Sequence, residues 1–405
     1  MAVGLAPLPK LHPVAGFALG TACAGIKKPG RQDLVVMRCA EGSTVAGVFT
    51  QNAFCAAPVQ LCQQRFLGAV RYLLTNSGNA NAATGAAGLA NAGQVCATLA
   101  QLAGVAPRSV LPFSTGVIGE PLPVDKIEAA LPAALKNLAE DNWPAAASGI
   151  MTTDTQPKGA SRQFVHQGVT VTVTGISKGA GMIRPNMATM LAYLATDAKV
   201  AQGVLQDLLK GVMDKSFNRI SIDGDCSTND SCMLIATGQA PLPEITAASG
   251  ALYAALKQAV EEVALELAWA IVRDGEGASK FVTVQVNGGS CQQECLDVAF
   301  AVAHSPLVKT ALFASDPNWG RILCAVGYAG VARLDTGRVS LYIGDLCIAQ
   351  GGCRAEGYTE EQGSAAMREE EILLRIDLGR GTCSETVWTT DLSYDYVKIN
   401  AQYRS

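Results

Sequence analysis

Residues 178–197 read Lys-Gly-Ala-Gly-Met-Ile-Arg-Pro-Asn-Met-Ala-Thr-Met-Leu-Ala-Tyr-Leu-Ala-Thr-Asp, and no other stretch constrains the fold so tightly. Upstream, Val169-Thr170-Val171-Thr172-Val173-Thr174 alternates with the period of a half-buried strand. Gly175, Gly179 and Gly181 then break the pattern, and Pro185 fixes its own φ and turns Arg184 away from helix. An uncharged apolar run from Met190 to Ala195 follows at once, with the length and character of a buried strand. Thr189 is therefore expected where a glycine-loosened loop enters a core strand. That placement suits a threonine whose preceding peptide bond is cut, leaving a free α-amine beside its hydroxyl.

A chain of 405 residues is long enough to surround such a loop with a core of two domains or one large two-part body. Its 49% hydrophobic and 16% charged content, with 41 glycines, indicates close packing of small residues and argues against disorder. A net charge of −4 without a dense Lys/Arg cluster gives no electrostatic case for nucleic acid. The first residues lack the basic and apolar regions of a signal peptide, and no run of about 18 apolar residues suggests a membrane span. The thirteen cysteines are odd in number and contain no Cys-x-x-Cys pair. They read as reduced, mostly buried side chains of a cytoplasmic protein, with a structural zinc at Cys291 and Cys295 as the minor alternative.

The chemistry is narrowed by what is missing. The histidines are His12, His166 and His304, none in a ligand-spaced pair, so zincin-type sites are excluded. There is no Gly-x-Ser-x-Gly elbow, phosphate-binding P-loop or dinucleotide fingerprint. A nucleophile activated without histidine is needed, and a threonine served by its own N-terminal amine meets that need.

Along the chain, residues 45–50 read as a strand, and Tyr72-Leu73-Leu74 runs into Thr75-Asn-Ser-Gly-Asn-Ala-Asn81, a stretch of turn formers expected to loop. A helix follows over about 88–103. Leu111-Pro-Phe-Ser-Thr115-Gly116 is an apolar run meeting a turn whose backbone N–H groups are expected at its tip. Residues 124–140 suggest a helix kinked or split by Pro132. Met151-Thr152-Thr153-Asp154 is a hydroxyl cluster that could simply cap a turn. Residues 199–216 fit an amphipathic helix with Leu205, Leu208, Leu209 and Val212 on one side. The acidic loop at 218–230 lacks the ligand alternation of an EF-hand, which leaves calcium as the minor reading. A long helix over 246–272, a Gly275-Glu276-Gly277 turn and a strand at 281–286 come next. Ser305-Pro306 starts a short helix, residues 339–343 and 372–378 are strands, and residues 367–371 read as helix between them.

Several of these pieces, in this order, resemble one family. The segment Lys178-Gly-Ala-Gly-Met-Ile-Arg-Pro-Asn-Met-Ala-Thr189-Met-Leu is similar to the self-cleavage motif of the ornithine acetyltransferase (glutamate N-acetyltransferase) family. Ser114-Thr115-Gly116, Met-Thr-Thr-Asp, Gly-Glu-Gly and the terminal Asn400…Ser405 agree with it, and the likeness covers about residues 8 to 405. The residue pattern alone supports only α/β or α+β. The resemblance adds a layered α/β/β/α body with a second, smaller domain, cut between Ala188 and Thr189 into chains 1–188 and 189–405. It implies that Thr189 is the nucleophile and that Thr115 and Gly116 stabilise the oxyanion. Thr153 in preference to Thr152, Lys178, Thr189, Glu276, Asn400 and Ser405 would hold substrate. The implied reaction moves acetyl from N2-acetylornithine to glutamate in arginine biosynthesis. No cofactor or metal is implied, and acetyl-CoA enters only as a possible second donor. Two copies of each fragment, or four, form the implied assembly. The rival readings are a self-processing aminopeptidase of similar fold and a non-catalytic amino-acid sensor.

Overall fold

Short runs of branched and small apolar residues fold as strands of two stacked sheets in the first body of the chain. The computed structural model describes residues 2–26, 29–184 and 190–402. It divides into a body of Ala6–Asn218 with Asp225–Ile271 and a smaller one of Met1–Leu5, Arg219–Gly224 and Val272–Ser405. These are spatial units, and neither coincides with the expected fragments 1–188 and 189–405, which a covalent cut would define.

The larger body contains, in order, β1 (Phe17–Ala22), β2 (Leu34–Cys39), β3 (Thr44–Phe49), α1 (Ala57–Arg65), β4 (Tyr72–Asn79), α2 (Gly85–Ala103) and β5 (Val110–Val117). It continues with α3 (Val124–Lys136), α4 (Trp143–Gly149), β6 (Lys158–His166), β7 (Val169–Lys178), β8 (Leu191–Thr196), α5 (Gln202–Met213) and β9 (Ser231–Ala236). Helix α6 (Ala251–Arg273) belongs to this body as far as Ile271. One sheet has the order β1-β2-β4-β5 and the other β3-β9-β8-β7-β6.

Leu19, Met37, Leu73 and Phe113 of the first sheet share a core with Ile176, Tyr193, Met233 and Ile235 of the second. Each such side chain contributes on the order of 2 kcal/mol by leaving water. The Tyr193 hydroxyl in this layer lies 2.8 Å from Thr75 Oγ1 and so is not buried without a partner. On the outer face of the first sheet, Val36 and Leu74 pack with Val95 and Leu99 of α2 and Ile127 and Leu131 of α3. On the outer face of the second, Gly175 leaves room for Val263 and Leu267 of α6, which a Cβ would meet at 3.1 Å. The layers are α/β/β/α, as the resemblance implies.

The structure departs from the sequence reading in four places. Gly175 does not end its strand, because β7 runs on to Lys178 and uses the glycine to admit α6. The turn formers from Thr75 to Asn79 lie inside β4, paired in parallel with β5, and Ser114, Thr115 and Gly116 lie inside β5. Pro132 stays within α3 on its exposed face, where a carbonyl that loses its helical partner has water instead. The helix expected at 367–371 lies earlier, at Glu360–Met367, where Thr359 and Gln362 form a capping box.

The smaller body holds β10 (Phe281–Gly289), α7 (Gln292–His304), α8 (Pro306–Phe313), α9 (Trp319–Gly327), β11 (Ser340–Ile343), β12 (Leu346–Gln350) and β13 (Cys353–Arg354). Then come α10 (Glu360–Met367), β14 (Glu371–Asp377), β15 (Cys383–Thr390) and α11 (Tyr394–Ala401). Its sheet has the order β13-β12-β11-β14-β10-β15, with β10 and β14 parallel. Val284, Leu374 and Val387 of the sheet pack against Val298, Leu312 and Ile322 of α7, α8 and α9. No single helix among the described residues is long and apolar enough to cross a membrane.

Candidate active site

Strand β5 is the last in its sheet, so one edge of it has no strand neighbour. Side chains satisfy the carbonyls along that edge at every second residue, the period of a strand. Arg65 Nη1 donates to Val110 O at 3.3 Å, Cys62 Sγ to Pro112 O at 3.0 Å, and Asn229 Nδ2 to Ser114 O at 2.9 Å. Pro112 fits this edge because its missing N–H faces away from the sheet. Val117, out of phase, gives its carbonyl to Ala80 N–H at 2.9 Å. Two residues beyond Ser114, the alternation carries Gly116 onto the open edge. Its φ of +137° and its approach to Gly78, whose carbonyl carbon a Cβ would overlap, require glycine there.

Lys178 ends β7 and donates from Nζ to Thr115 Oγ1 at 3.1 Å. A cation, a hydroxyl and a glycine backbone are thus grouped at the ends of two strands. Their arrangement can stabilise negative charge developing on a carbonyl oxygen.

The start of the central loop is anchored from below. Gly179 N–H donates to Asp154 Oδ1 at 2.7 Å, Lys158 Nζ to the same oxygen at 2.7 Å, and Thr152 N–H to Oδ2 at 2.9 Å. Both charged side chains of the Lys158–Asp154 pair are wholly buried. Burial alone would raise the Asp154 carboxyl, but Lys158 and Lys178 hold it well below the usual carboxylate range. Arg31 fixes the Met-Thr-Thr-Asp backbone by donating to the carbonyls of Met151 at 2.6 Å and Thr152 at 3.3 Å. Thr153 is half-buried on this bend.

The loop before β9, which the sequence reading weighed only as a metal site, is a second support. Thr50 Oγ1 donates to Ser227 O at 2.8 Å, Thr50 N–H to Asp230 O at 2.9 Å, and Ala56 N–H to Thr228 O at 2.9 Å. Burial pushes the Asp230 carboxyl well above the usual range, against the opposing pull of Ser227 and Lys178. Ser231, next in the chain, donates its N–H to the Met190 carbonyl at 2.9 Å and so ties this loop to the residue that follows Thr189. Nothing in the spacing of Ser227-Thr228-Asn229-Asp230 signals this. Among the described residues there is no cluster of three or more His, Cys, Asp or Glu that could hold a metal, and all thirteen cysteines are free.

In the smaller body, Glu276 and Asn400 are brought together from 124 positions apart, with Asn400 Nδ2 donating to Glu276 Oε2 at 2.8 Å. Gly277, at φ +67°, lets its turn dock on the start of α11, and Ser393 Oγ donates to Gly277 O at 2.6 Å. Asp391 takes the N–H groups of Ser279 and Lys280 at 2.8 and 3.0 Å. Beneath them, Lys309 Nζ donates to the Thr390 carbonyl and to Thr389 Oγ1. Burial pushes this lysine down to about 8, although Asp391 and Asp223 pull the other way. His304 Nε2 lies 2.9 Å from the fully buried Ser221 Oγ. Ala188, Thr189 and Ser405 lie outside the described residues.

The ArgJ family profile matches residues 18–405. The chain is 72% identical over all 405 residues to the arginine biosynthesis bifunctional protein ArgJ of Pseudomonas syringae pv. tomato, with both chains covered completely. It is 71% identical, again over both full lengths, to the protein of the same name from Pseudomonas fluorescens. A crystal structure of the arginine biosynthesis bifunctional protein argJ from Bacillus halodurans matches with 37% identity and a TM-score of 0.50. That match covers 99% of the Bacillus chain and 53% of this one. The chain described here belongs to the ArgJ family.

Proposed function

We propose that this protein is an acetyltransferase of arginine biosynthesis that moves the acetyl group of N2-acetylornithine onto glutamate through an acetyl ester on Thr189. The observation that carries the reading is the contact of the Lys178 ammonium with the Thr115 hydroxyl, beside Gly116 on the open edge of β5. Strand β7 delivers Lys178 to that point and leads directly into the segment containing Thr189. The full-length likeness to proteins named for arginine biosynthesis supports the pathway.

In the maturation step, Thr189 Oγ attacks the Ala188 carbonyl and the acyl group shifts from nitrogen to oxygen. Water then cleaves the ester, leaving the Ala188 carboxylate and a Thr189 with a free amine. The half-length Bacillus chain fits such a fragment. An α-amine has an ordinary pKa of about 7.7–8.0, so near neutral pH it can accept a proton without a large shift. In the transfer step the amine takes the Oγ proton as Oγ bonds the acetyl carbonyl carbon. Thr115 and the Gly116 amide hold the resulting oxyanion. Collapse breaks the amide bond, and the proton passes to the departing ornithine amine. Glutamate then attacks the acetyl ester through its own amine, giving N-acetylglutamate and restoring Thr189.

Thr153, Lys178, Glu276, Asn400 and Ser405 bind the polar ends of the substrates, a carboxylate suiting Lys178 and an ammonium suiting Glu276. Acetyl-CoA serves as a second acetyl donor, a role supported by the word bifunctional in the relatives' names. The active assembly contains two copies of each fragment.

Intact mass and acceptor dependence test the reading together. Wild-type protein should yield fragments 1–188 and 189–405, and Thr189→Ala a single uncut chain. Ornithine release from N-acetylornithine should depend on glutamate. Release at full rate without glutamate would make the protein a hydrolase, and binding without turnover would make it a sensor.

A further inference from the structure

We infer that Asn229 is a positioning residue for the oxyanion site, an assignment that rests on the reading of Thr115 and Gly116 given above. The Asn229 side chain is buried, and its Nδ2 donates to two carbonyls at once, Ala80 O at 2.6 Å and Ser114 O at 2.9 Å. Its Oδ1 accepts from Thr228 Oγ1 at 2.6 Å, which fixes the direction of the amide. The two carbonyls belong to different stretches, Ser114 within β5 and Ala80 just past the end of β4. Ser114 is bonded in the chain to Thr115, and Ala80 closes the far side of the same pair by donating its N–H to Val117 O at 2.9 Å. One amide group therefore holds the carbonyl before Thr115–Gly116 directly, and Val117 after them through Ala80.

The other side chains on this edge act elsewhere. Arg65 and Cys62 take the carbonyls of Val110 and Pro112, four and two residues before Ser114. Asn229 comes last in the row, next to where the alternation exposes Gly116. Its loop is itself held by Thr50 and Ala56, so the amide is presented from a fixed backbone. Without it, Ser114 O and Ala80 O lose a shared donor, and the Gly116 amide is free to turn from the direction in which it meets the oxyanion. A group that acts on the transition state and not on bound substrate lowers kcat and kcat/KM together and leaves KM in place.

The test uses mature, fully cleaved protein and N-acetylornithine-to-glutamate transfer. Loss of an oxyanion donor outright costs about 10²–10³ in kcat, and displacing one should cost less, on the order of tenfold to a hundredfold. Asn229→Ala should show that fall with KM changed less than about twofold. Asn229→Asp, equal in size but without N–H groups, should fare no better. Cys62→Ala, which opens the same edge farther from Gly116, should lower Tm while leaving kcat within about twofold. If the Asn229 variants do not fold, Thr228→Val frees the amide to rotate and should lower kcat severalfold in the same pattern. Wild-type kcat in Asn229→Asp, or in Thr228→Val where only that variant folds, overturns the assignment, as does an equal kcat loss in Cys62→Ala. Thr115→Val separates the two levels. Full activity there removes the oxyanion reading itself, whereas a loss there with none in Asn229→Ala removes only this inference.

Discussion

Replacing Lys158 by methionine probes the buried ion pair beneath the central loop. Both side chains of the Lys158–Asp154 pair have no solvent exposure, and Asp154 also receives the N–H groups of Gly179 and Thr152. Methionine keeps most of the lysine volume but strands a carboxylate away from water. Breaking one side of such a pair costs about 3–5 kcal/mol. For a body of this size, each kcal/mol shifts Tm by about 2–4 °C, so calorimetry should show a fall on the order of 10 °C. The deficit should narrow in acid. In the wild type Asp154 is held below its ordinary pKa, so its stabilisation is complete above about pH 4 and is lost as pH falls through the lowered value. In the variant, burial gains weight and the carboxyl takes a proton sooner, which relieves the stranded charge. Lys158→Met combined with Asp154→Asn removes both charges and should recover at least half of the loss. A Tm change equivalent to less than about 1 kcal/mol, or a double variant no better than the single one, would refute the reasoning.

Gly116→Ala should fail for a steric reason, since φ is +137° and the added Cβ would overlap the Gly78 carbonyl carbon. Transfer should fall by about 10² or more while the fold survives at reduced Tm, read by kinetics and calorimetry on the same sample. Lys309 supplies a pH test in the smaller body. Its pKa is lowered from 10.5 to about 8, so burial of the charged form penalises folding fully below pH 8, and the penalty is relieved as pH rises toward 10.5. Between about pH 7 and about pH 9.5 the wild type should gain roughly 2 kcal/mol relative to Lys309→Met in urea unfolding, and parallel pH curves would contradict this.

Where side chains follow a simple period, the elements could be read from the residues. The Val-Thr alternation of β7, the apolar run of β8 and the buried face of α5 at Leu205, Leu208, Leu209 and Val212 are in the structure where the pattern puts them. Thr75 to Asn79 were misread because threonine, asparagine, serine and glycine usually satisfy their own backbone in turns. In β4 that role passes to β5 and to distant partners: Ser114 Oγ donates to Asn76 Oδ1 at 2.6 Å, and Ser77 Oγ to Gly149 O at 2.9 Å. No local rule anticipates partners 38 and 72 positions away.

From the residues alone came a loop rich in glycine ending at a threonine, three histidines with no ligand-spaced pair, and a string of small motifs in family order. Folding decided which of those motifs meet: Lys178 reaches Thr115 across 63 positions, and Asn400 reaches Glu276 across 124. It also placed Thr115 and Gly116 on a strand edge instead of a turn, and set Asn229 against that edge. The division has a physical origin. Periodicity and backbone preference act over a few neighbouring residues and leave their mark in the order of the chain. Hydrogen bonds between strand ends and loops depend on how layers stack, and stacking is settled only when the whole core leaves water.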